Sequence, residues 1–130
     1  QEQGISIVVS TPYMDEAVLC DRVALIQKGS LLDITDPSQA VSMGAEALYS
    51  LKSSRGVYDY LQAIRKLDIC KSAWLFGDKL HISLHSERDI KALESELKMW
   101  EDPSLKLEAI QASIEDRFMG LMAHERESEF

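Results

Sequence analysis

The stretch Cys70-Lys-Ser-Ala-Trp-Leu-Phe-Gly-Asp-Lys-Leu-His-Ile-Ser-Leu-His85 carries the pattern that decides the fold. Apolar and polar side chains alternate strictly along its second half, which is the pattern of a strand with one buried face. The apolar positions are Leu80, Ile82 and Leu84, and the polar positions are His81, Ser83 and His85. Gly77-Asp78, a tight-turn signal, separates this half from the apolar run 70–76. The stretch therefore predicts a β-hairpin.

A helix is predicted on each side of this hairpin. Ser53-Ser54 precedes one apolar stripe with helical spacing, and Ser86 precedes a second stripe that Asp102-Pro103 ends. Serine is a favoured capping residue, so we expect both positions to begin helices. The stripes are Val57, Tyr60, Leu61 and Ile64, and Ile90, Leu93, Leu97 and Trp100. Strands are predicted at 47–52 and 105–110, outside the two helices.

The order of elements over residues 45–111 is therefore β-α-β-β-α-β, the order of the ferredoxin-like, split βαβ unit. The predicted fold class is α/β (α+β), with a four-stranded antiparallel sheet and both helices on one face. The other face stays open unless another element covers it, and we interpret it as a docking surface. Ser113 is expected to begin a last helix whose apolar face contains Ile114, Phe118, Leu121 and Met122.

Residues 1–44 have a different pattern. The β-branched run 5–9, Ile-Ser-Ile-Val-Val, predicts a buried strand. Thr11-Pro12 predicts the start of a helix that ends near Leu19, with Thr11 as its N-cap. A hairpin is predicted at 22–35 around Lys28-Gly29. Residues 39–44 are weakly patterned, and we interpret them as a linker or a short helix.

The composition excludes several classes of function. The 130 residues carry 14 Lys plus Arg against 22 Asp plus Glu, a net charge of −8, which argues against binding to a nucleic-acid backbone. No apolar run approaches the roughly 18 residues of a membrane span. Cys20 and Cys70 lie too far apart for a metal knuckle or a redox pair. Two reduced thiols are therefore expected, although a disulfide between them is possible.

Residues 7–26 carry a resemblance to a known family: Ile-Val-Val-Ser-Thr-Pro-Tyr-Met-Asp-Glu-Ala-Val-Leu-Cys-Asp-Arg-Val-Ala-Leu-Ile, followed by Lys28-Gly29 and Asp36-Pro37. This stretch resembles the end of the nucleotide-binding domain of ATP-binding cassette (ABC) transporters, just after the second carboxylate-bearing strand. The family pattern there is a strand, Ser-Thr-His, an aromatic and Met, Asp-Glu-Ala, Cys-Asp-Arg, a hydrophobic strand, a Gly turn and Thr-Pro. The matching positions are Ser10, Thr11, Asp15, Glu16, Asp21 and Arg22.

The remainder of the chain resembles the C-terminal extension of cassette proteins of the drug-export type. Residues 113–118 are similar to the Leu-Glu-Asp-x-Phe box that closes such proteins, through Glu115, Asp116 and Phe118. The resemblance implies two parts, the truncated end of a P-loop ATPase domain at 1–44 and a regulatory or interaction domain at 45–130. The chain begins with Gln-Glu-Gln-Gly rather than Met, and we expect it to be a piece of a longer, bacterial protein.

The resemblance also implies cofactors and partners for that longer protein. It would bind ATP and magnesium, and it would couple hydrolysis to export through a membrane-spanning permease. It would pair with a second ATP-binding subunit or domain, at the cytoplasmic side of the inner membrane. Within this chain none of the six glycines begins a phosphate-binding Gly-x-x-x-x-Gly-Lys loop. We therefore expect this chain alone to contain no catalytic residue, cofactor or metal and not to hydrolyse ATP.

One position departs from the family pattern. Pro12 stands where the family has its switch histidine, which, as the resemblance implies, contacts the γ-phosphate. Proline has neither a side-chain donor nor a backbone N–H. We favour a degenerate nucleotide site, with a simple helix start at Pro12 as the alternative. For Tyr13, Asp15, Glu16 and Arg22 we favour structural roles in capping, dipole pairing and a surface ion pair.

Other candidate sites are weaker. On a strand, His81 and His85 would lie roughly 13 Å apart at ~3.3 Å per residue, too far to share a metal ion. We interpret Glu94, Glu96, Glu101 and Asp102 as part of a solvated helix face. RNA binding by the βαββαβ unit is not favoured, because Lys79–Leu84 lacks the aromatic residues that stack on bases.

Two hypotheses remain for residues 45–130. The first is an interaction or regulatory module that pairs with its own copy or with the neighbouring ATPase and biases closure of the ATPase dimer. The second is a small-ligand sensor, for which the sequence shows no convergent polar cluster. The apolar run 5–9 is an association hazard if unpaired, and we expect it to pair with strand 22–27 or, by exchange, with another copy.

Overall fold

The computed structural model describes residues 3–39 and 47–128, which form a mixed α/β structure with two antiparallel sheets. The first part contains helix α1 (Met14–Ala17) and strands β1 (Val23–Gln27) and β2 (Ser30–Thr35). The second part contains β3 (Leu48–Lys52), α2 (Tyr58–Arg65), β4 (Cys70–Phe76), β5 (Lys79–Leu84), α3 (Ile90–Met99), β6 (Lys106–Ala109) and α4 (Ile114–Ser128). A 3-10 turn, Glu87–Asp89, leads into α3.

The larger sheet has the strand order β4-β5-β3-β6, with every neighbouring pair antiparallel. The predicted hairpin is confirmed as β4 and β5, which pair from Cys70 opposite Leu84 to Phe76 opposite Lys79. Gly77 in the turn has φ +64°, a conformation that glycine adopts without strain. The strands predicted at 47–52 and 105–110 are present, each shorter by one residue at one or both ends.

The core of the sheet confirms the alternation along β5. Leu80, Ile82 and Leu84 are fully buried in one apolar cluster. The helices α2 and α3 contribute Leu61, Ile64, Leu93 and Leu97 to that cluster. Both helices therefore cover the same face of the sheet.

Two predicted helix caps have different outcomes. Ser86 is confirmed as a capping residue, but of the 3-10 turn that leads into α3: its Oγ accepts the Arg88 N–H at 3.2 Å, and the N-cap residue of α3 itself is Asp89. The cap predicted at Ser53-Ser54 is wrong, because the N-cap residue of α2 is Val57, which makes no side-chain capping bond. Ser53 is bonded instead to Asp102, a partner 49 residues away that sequence spacing does not reveal.

The N-terminal hairpin is confirmed, but the helix before it is shorter than predicted. Strands β1 and β2 pair with a register shift between Leu25 and Ile26. Thr11 is not the N-cap of α1, because its Oγ1 accepts the Tyr13 N–H at 3.0 Å and closes a turn ahead of the helix. At the other end, the amides of Leu19 and Cys20 bond to carbonyls three residues back. These tight bonds end α1 after four residues.

The strand predicted at 5–9 does not form among the described residues. Its side chains are exposed, up to 96% at Val8, and β1 pairs with β2 rather than with this run. The predicted pairing of 5–9 with strand 22–27 is therefore wrong. A run that is apolar on both faces needs a sheet edge to pair with and layers on both sides; the two-stranded β1–β2 sheet has free edges but no layers to bury such a strand. Exchange with another copy stays a prediction.

The sheet face predicted to be open is partly covered by α4. Leu48, Trp74 and Ala112 form a second buried cluster on this face, with Ile110 and Met119 packed against it. The interpretation of the whole face as a docking surface is therefore corrected: the last helix returns across the sheet, and its Met119 packs against the buried cluster there. The predicted boundary at 44/45 and most of the predicted linker lie outside the described residues.

Candidate functional site at the start of helix α4

The first turn of α4 is held by reciprocal bonds between Ser113 and Asp116. Ser113 Oγ accepts the Asp116 N–H at 3.3 Å, and the Asp116 carboxylate accepts the Ser113 N–H at 2.8 Å. This is the arrangement of a capping box, with Asp in the place of the usual Glu. The helix start predicted at Ser113 is confirmed, and the capping bonds hold the next side chains in fixed directions.

Side chains of this turn contact three different elements. Ile114 packs with Ala17 of α1 in a small buried cluster. Arg117 donates from Nε and Nη2 to Asp33 Oδ2 of β2 at 2.8 and 2.6 Å. Asp116 bonds to a histidine of β5. We call these residues the α4 junction: Ala17, Asp33, His81, Ile114, Asp116 and Arg117.

The bond between Asp116 and His81 is buried. Asp116 Oδ1 lies 2.5 Å from His81 Nδ1, and the two side chains are 3% and 9% exposed. Phe76 stacks on the imidazole with ring centroids 4.3 Å apart, and Trp74 meets it edge-on. A buried carboxylate is stable only when donors surround it. His81 and Ser113 satisfy this need, so the pair fastens α4 to the sheet.

A cavity of about 280 Å3 lies next to this pair, between α4 and the sheet. Its sheet side is formed by Leu48, Ser72, Trp74 and Ser83, and its helix side by Ala112, Gly120, Leu121 and Ala123. Lys71, His85, Asp116 and Arg117 complete the lining. These polar residues come from β4, β5 and α4, which are far apart in the chain. That separation explains why no convergent polar cluster is visible in the sequence.

The residues of the ABC-like pattern lie mostly at the surface. Ser10, Pro12, Asp15, Glu16, Asp21 and Arg22 are exposed, and Thr11 is half-buried. Thr11 Oγ1 donates to Glu16 Oε2 at 2.5 Å, which agrees with a local structural role for Glu16. In the C-terminal box, Glu115 is exposed, Asp116 is buried and Phe118 is half-buried.

A second cavity is lined by residues from both segments that carry the ABC resemblance, residues 7–26 and residues 113–118. It measures about 390 Å3 and is lined by Asp21 and Arg22 of the first pattern and by Arg117 of the second. Asp33 and Asp36 lie in the same wall. Arg117 therefore borders both cavities.

Asp102 is a second buried acid, and its assignment to a solvated helix face is wrong. Its Oδ2 accepts from the hydroxyls of Ser53 and Tyr60 at 2.6 and 2.7 Å, and its Oδ1 accepts from the hydroxyl and N–H of Ser104 at 2.6 and 2.9 Å. Hydrogen bonds from Ser104 and Ser53 hold the pKa of Asp102 well below its usual range. The network ties α2 to the segment between α3 and β6, which is a structural role.

The structure separates the two histidines once weighed as metal ligands. His81 is buried against Asp116, and His85 is exposed at the edge of the first cavity. In residues 3–39 and 47–128, no group of three or more His, Cys, Asp or Glu side chains is placed to hold a metal ion.

The helices described in those ranges are too short or too polar to cross a bilayer.

The two thiols are free and are expected to differ in reactivity. Burial raises the pKa of Cys70 to about 11, whereas Cys20 is exposed. Because the thiolate is the reactive species, iodoacetamide at about pH 8 is expected to modify Cys20 and to leave Cys70 unmodified in the folded chain. Peptide mass spectrometry measures both positions, with alkylation in urea as the control in which both react. Equal modification of the two thiols in the folded chain would contradict the expectation.

Comparison with known proteins finds relatives but neither a matching family model nor a matching solved structure. The linearmycin resistance ATP-binding protein LnrL of Bacillus subtilis is 26% identical over 125 residues, which are 92% of this chain and 40% of LnrL. The probable multidrug ABC transporter ATP-binding protein YbhF of Escherichia coli is 36% identical over 44 residues, which are 34% of this chain and 8% of YbhF. YbhF of Shigella flexneri matches with the same values.

The chain thus has weak local similarity to ABC transporter ATP-binding proteins, the class that the resemblance predicted. Among these relatives, LnrL matches along most of this chain, whereas YbhF matches along about a third of it. The chain spans about two fifths of the length of LnrL and less than a tenth of that of YbhF.

Ala17, Asp33, Trp74 and Arg117 are residues of this site that the sequence did not single out as site candidates. Arg117 stands at the variable position of the C-terminal box, and its partner Asp33 lies 84 residues earlier. The Ser-x-x-Asp spacing at 113–116 is a capping signal, but nothing in the sequence indicates which elements the next turn contacts.

Proposed function

We propose that this chain is the C-terminal part of the ATP-binding subunit of an ABC transporter of the drug-export type. The similarity to LnrL and YbhF supports the subunit class, and the names of these relatives, linearmycin resistance and probable multidrug transport, support export. In this proposal residues 1–44 end the ATPase domain and residues 45–130 are a ferredoxin-like module. The strand order β4-β5-β3-β6, with α2 and α3 on one face, supports the module assignment.

The module acts as a regulatory and interaction element, and the observation that carries this is the α4 junction. Helix α1 begins two residues after Pro12, the position that resembles the ATPase switch. Ile114 packs on α1 and Arg117 binds β2, while Asp116 holds the same helix turn on the sheet. A change in the switch region therefore has a short path of packed contacts into the module.

The whole subunit, in this proposal, binds ATP and magnesium and pairs with a second ATP-binding subunit or domain. It works at the cytoplasmic face of the inner membrane through a permease, and this chain alone does not hydrolyse ATP. Pro12 makes the subunit's own nucleotide site degenerate, because proline supplies no donor to a phosphate. Self-pairing of the chain, including exchange through the run 5–9, belongs to the same proposal.

A second function, sensing of a small ligand, is favoured by one observation. The cavity between α4 and the sheet shares Asp116 and Arg117 with the α4 junction. A ligand in this cavity would contact the side chains that connect the two parts of the chain. In this second proposal the ligand adjusts the ATPase through the junction.

The test begins with the reading frame that encodes this chain. A phosphate-binding loop and a signature motif encoded upstream of Gln1 are expected, and a stop codon directly upstream would contradict the proposal. In the subunit that the complete frame encodes, Arg117→Met is expected to change the ATPase rate by about fivefold or more, a usual size for coupling between sites.

Lys52→Met is the matched control for this measurement. It removes a cation from an exposed ion pair, Lys52 to Asp78 at 2.9 Å, whose side chains are 52% and 68% exposed. Exposed pairs of this kind contribute little, so the control is expected to keep the wild-type rate. An Arg117→Met rate equal to that of the control would overturn the regulatory role.

A further inference from the structure

Small residues form part of the helix wall of the cavity, beside Leu121. Gly120 lies within α4, where glycine is disfavoured relative to almost every other residue. A Cβ atom added at Gly120 would meet nothing within 4 Å, so the space beside it is open. Ala112 and Ala123 lie in the same wall. Small side chains at these three positions are what keep the cavity from being filled by the helix.

The sheet wall carries a donor that is not used. Trp74 is 5% exposed, and its indole Nε1–H is the one buried side-chain polar group of the described residues with no hydrogen-bond partner. Buried donors in folded proteins nearly always have an acceptor. Ser72 and Ser83, which face each other across β4 and β5, line the same wall. The wall therefore combines the accessible edge of a largely buried indole ring with serine hydroxyls able to donate to a ligand.

The rim of the cavity is basic although the chain is acidic, with a net charge of −8. Two cations, Lys71 and Arg117, line it together with His85 and one acid, Asp116. The Asp116 carboxylate is already engaged by His81 and Ser113. An apolar interior with cationic groups at its edge suits a ligand with an apolar body and a negative charge.

We propose that this cavity is a binding site for a small aromatic anion, an aryl carboxylate. The aromatic body packs between Trp74 and the small-residue wall of α4, and the carboxylate accepts hydrogen bonds from Arg117. A cavity of about 280 Å3 lies just below the ~300–1,000 Å3 range of small-molecule sites, which limits the ligand to a bicyclic body at most. This chain alone is expected to bind the anion. An effect of binding on the ATPase rests on the second function proposed above.

Binding of the anion is linked to the α4 junction through Arg117. The guanidinium is already bound by Asp33 through Nε and Nη2, so an anion in the cavity competes with Asp33 for it. Linkage is reciprocal: if the ligand weakens the bond to Asp33, removing the Asp33 charge strengthens ligand binding. Asp33→Asn is therefore expected to raise affinity for the anion by about fivefold and to leave affinity for a neutral analogue unchanged.

The direct test uses 2-naphthoate as the probe and 2-naphthalenemethanol, with the same rings and no charge, as its control. Calorimetry gives both affinities, and 1H–15N spectra report the indole N–H signals of Trp74 and Trp100, which the Trp100→Phe chain assigns. Trp100 stacks on Tyr60 and packs against the core cluster on the other face of the sheet. Naphthoate is expected to shift the Trp74 signal alone and to bind about tenfold more tightly than the alcohol.

Two substitutions at Gly120 separate occupation of the cavity from general effects on the helix. Gly120→Met fills the cavity and is expected to weaken naphthoate binding about tenfold or more. Gly120→Ala improves the helix and leaves most of the space, so it is expected to retain binding. Arg117→Met is expected to reduce the affinity for naphthoate to that for the alcohol.

Several outcomes would overturn the proposal. They are a Trp74 signal that naphthoate does not move, wild-type binding by Gly120→Met, and equal affinities of the wild-type chain for the two probes. An altered Trp100 signal would show that Gly120→Met does not fold. In that case the naphthoate affinities test the proposal: Arg117→Met should lower the affinity and Asp33→Asn should raise it, and the absence of both changes would overturn it. The ATPase comparison of Arg117→Met with Lys52→Met does not depend on these results, so the two proposals can fail separately.

Discussion

Asp116→Ala is expected to lower the free energy of unfolding by about 3–5 kcal/mol, because two buried donors lose their acceptor at about 1–3 kcal/mol each and the helix loses its capping carboxylate. The substitution leaves His81 Nδ1 and the Ser113 N–H without their acceptor in a region where the His81 side chain is 9% exposed. It also removes the carboxylate of the capping box, so the first turn of α4 loses its local support. Urea unfolding followed by circular dichroism measures the difference.

Glu115→Ala is the matched control, because Glu115 is the exposed neighbour in the same helix turn. It is expected to stay within about 0.5 kcal/mol of wild type, as surface substitutions usually do. The double variant His81→Leu with Asp116→Leu removes both polar partners and is expected to recover much of the lost stability. If Asp116→Ala unfolds at the same urea concentration as Glu115→Ala, the pair does not fasten α4 to the sheet.

Asp102→Asn is expected to lower the free energy of unfolding strongly at neutral pH. It is also expected to make that free energy less dependent on pH in the acid range. In the wild-type chain the donors Ser104, Ser53 and Tyr60 lower the pKa of Asp102 in the folded state. A lowered pKa means that the stabilisation is fully present above the unfolded-state pKa of about 4. It is lost as the pH falls below that value toward the folded-state pKa. Stability of the wild-type chain should therefore decline in acid, and that of Asp102→Asn should decline less.

Ser53→Ala gives the reference value for the stability lost when Asp102 loses a single hydrogen bond. It removes one donor to a charged acceptor and is expected to cost about 1.5–3 kcal/mol. Asp102→Asn should cost more, because the amide nitrogen faces hydroxyl and N–H donors in place of an acceptor. Thermal unfolding between about pH 2.5 and pH 7 measures the slopes. Parallel pH profiles for the wild-type and Asp102→Asn chains would show that Asp102 is not the group that titrates.

The elements with strong local patterns were predictable from the sequence. The alternation from Lys79 to His85 places the buried face of β5 correctly, since a period of two residues is a local property of strands. Ser86 and Ser113 begin their helices because their capping partners lie within three residues. The strands around the hairpin follow from the same kind of short-range pattern.

Interactions between distant residues were not predictable in this way. Asp102 looked solvated because it follows an acidic helix, yet its donors Ser53 and Tyr60 come from 49 and 42 residues earlier. The partners Asp33 and Arg117 are 84 residues apart. The cavity could not be predicted for the same reason, because its walls come from β3, β4, β5 and α4, which only the fold brings together.

The apolar run 5–9 shows a different limit. Its β-branched composition fits a strand, but a strand also needs a neighbour to pair with. Among the described residues the run pairs with no strand and stays exposed, because the two-stranded β1–β2 sheet offers a free edge but no layers to bury a strand that is apolar on both faces. Composition indicates what a segment can form, and the available partners decide whether it forms.

The central claim is that α4 ties the ATPase-like segment to the sheet through Arg117 and Asp33, whose side chains are only 17% and 24% exposed. Amide hydrogen exchange of wild type, Arg117→Met and the Lys52→Met control tests it most directly. We predict that Arg117→Met exchanges about tenfold faster in β1 and β2, equivalent to about 1.4 kcal/mol, with β4 and β5 unchanged. Lys52→Met should match wild type throughout. Wild-type protection of β1 and β2 in a folded Arg117→Met chain would contradict the claim.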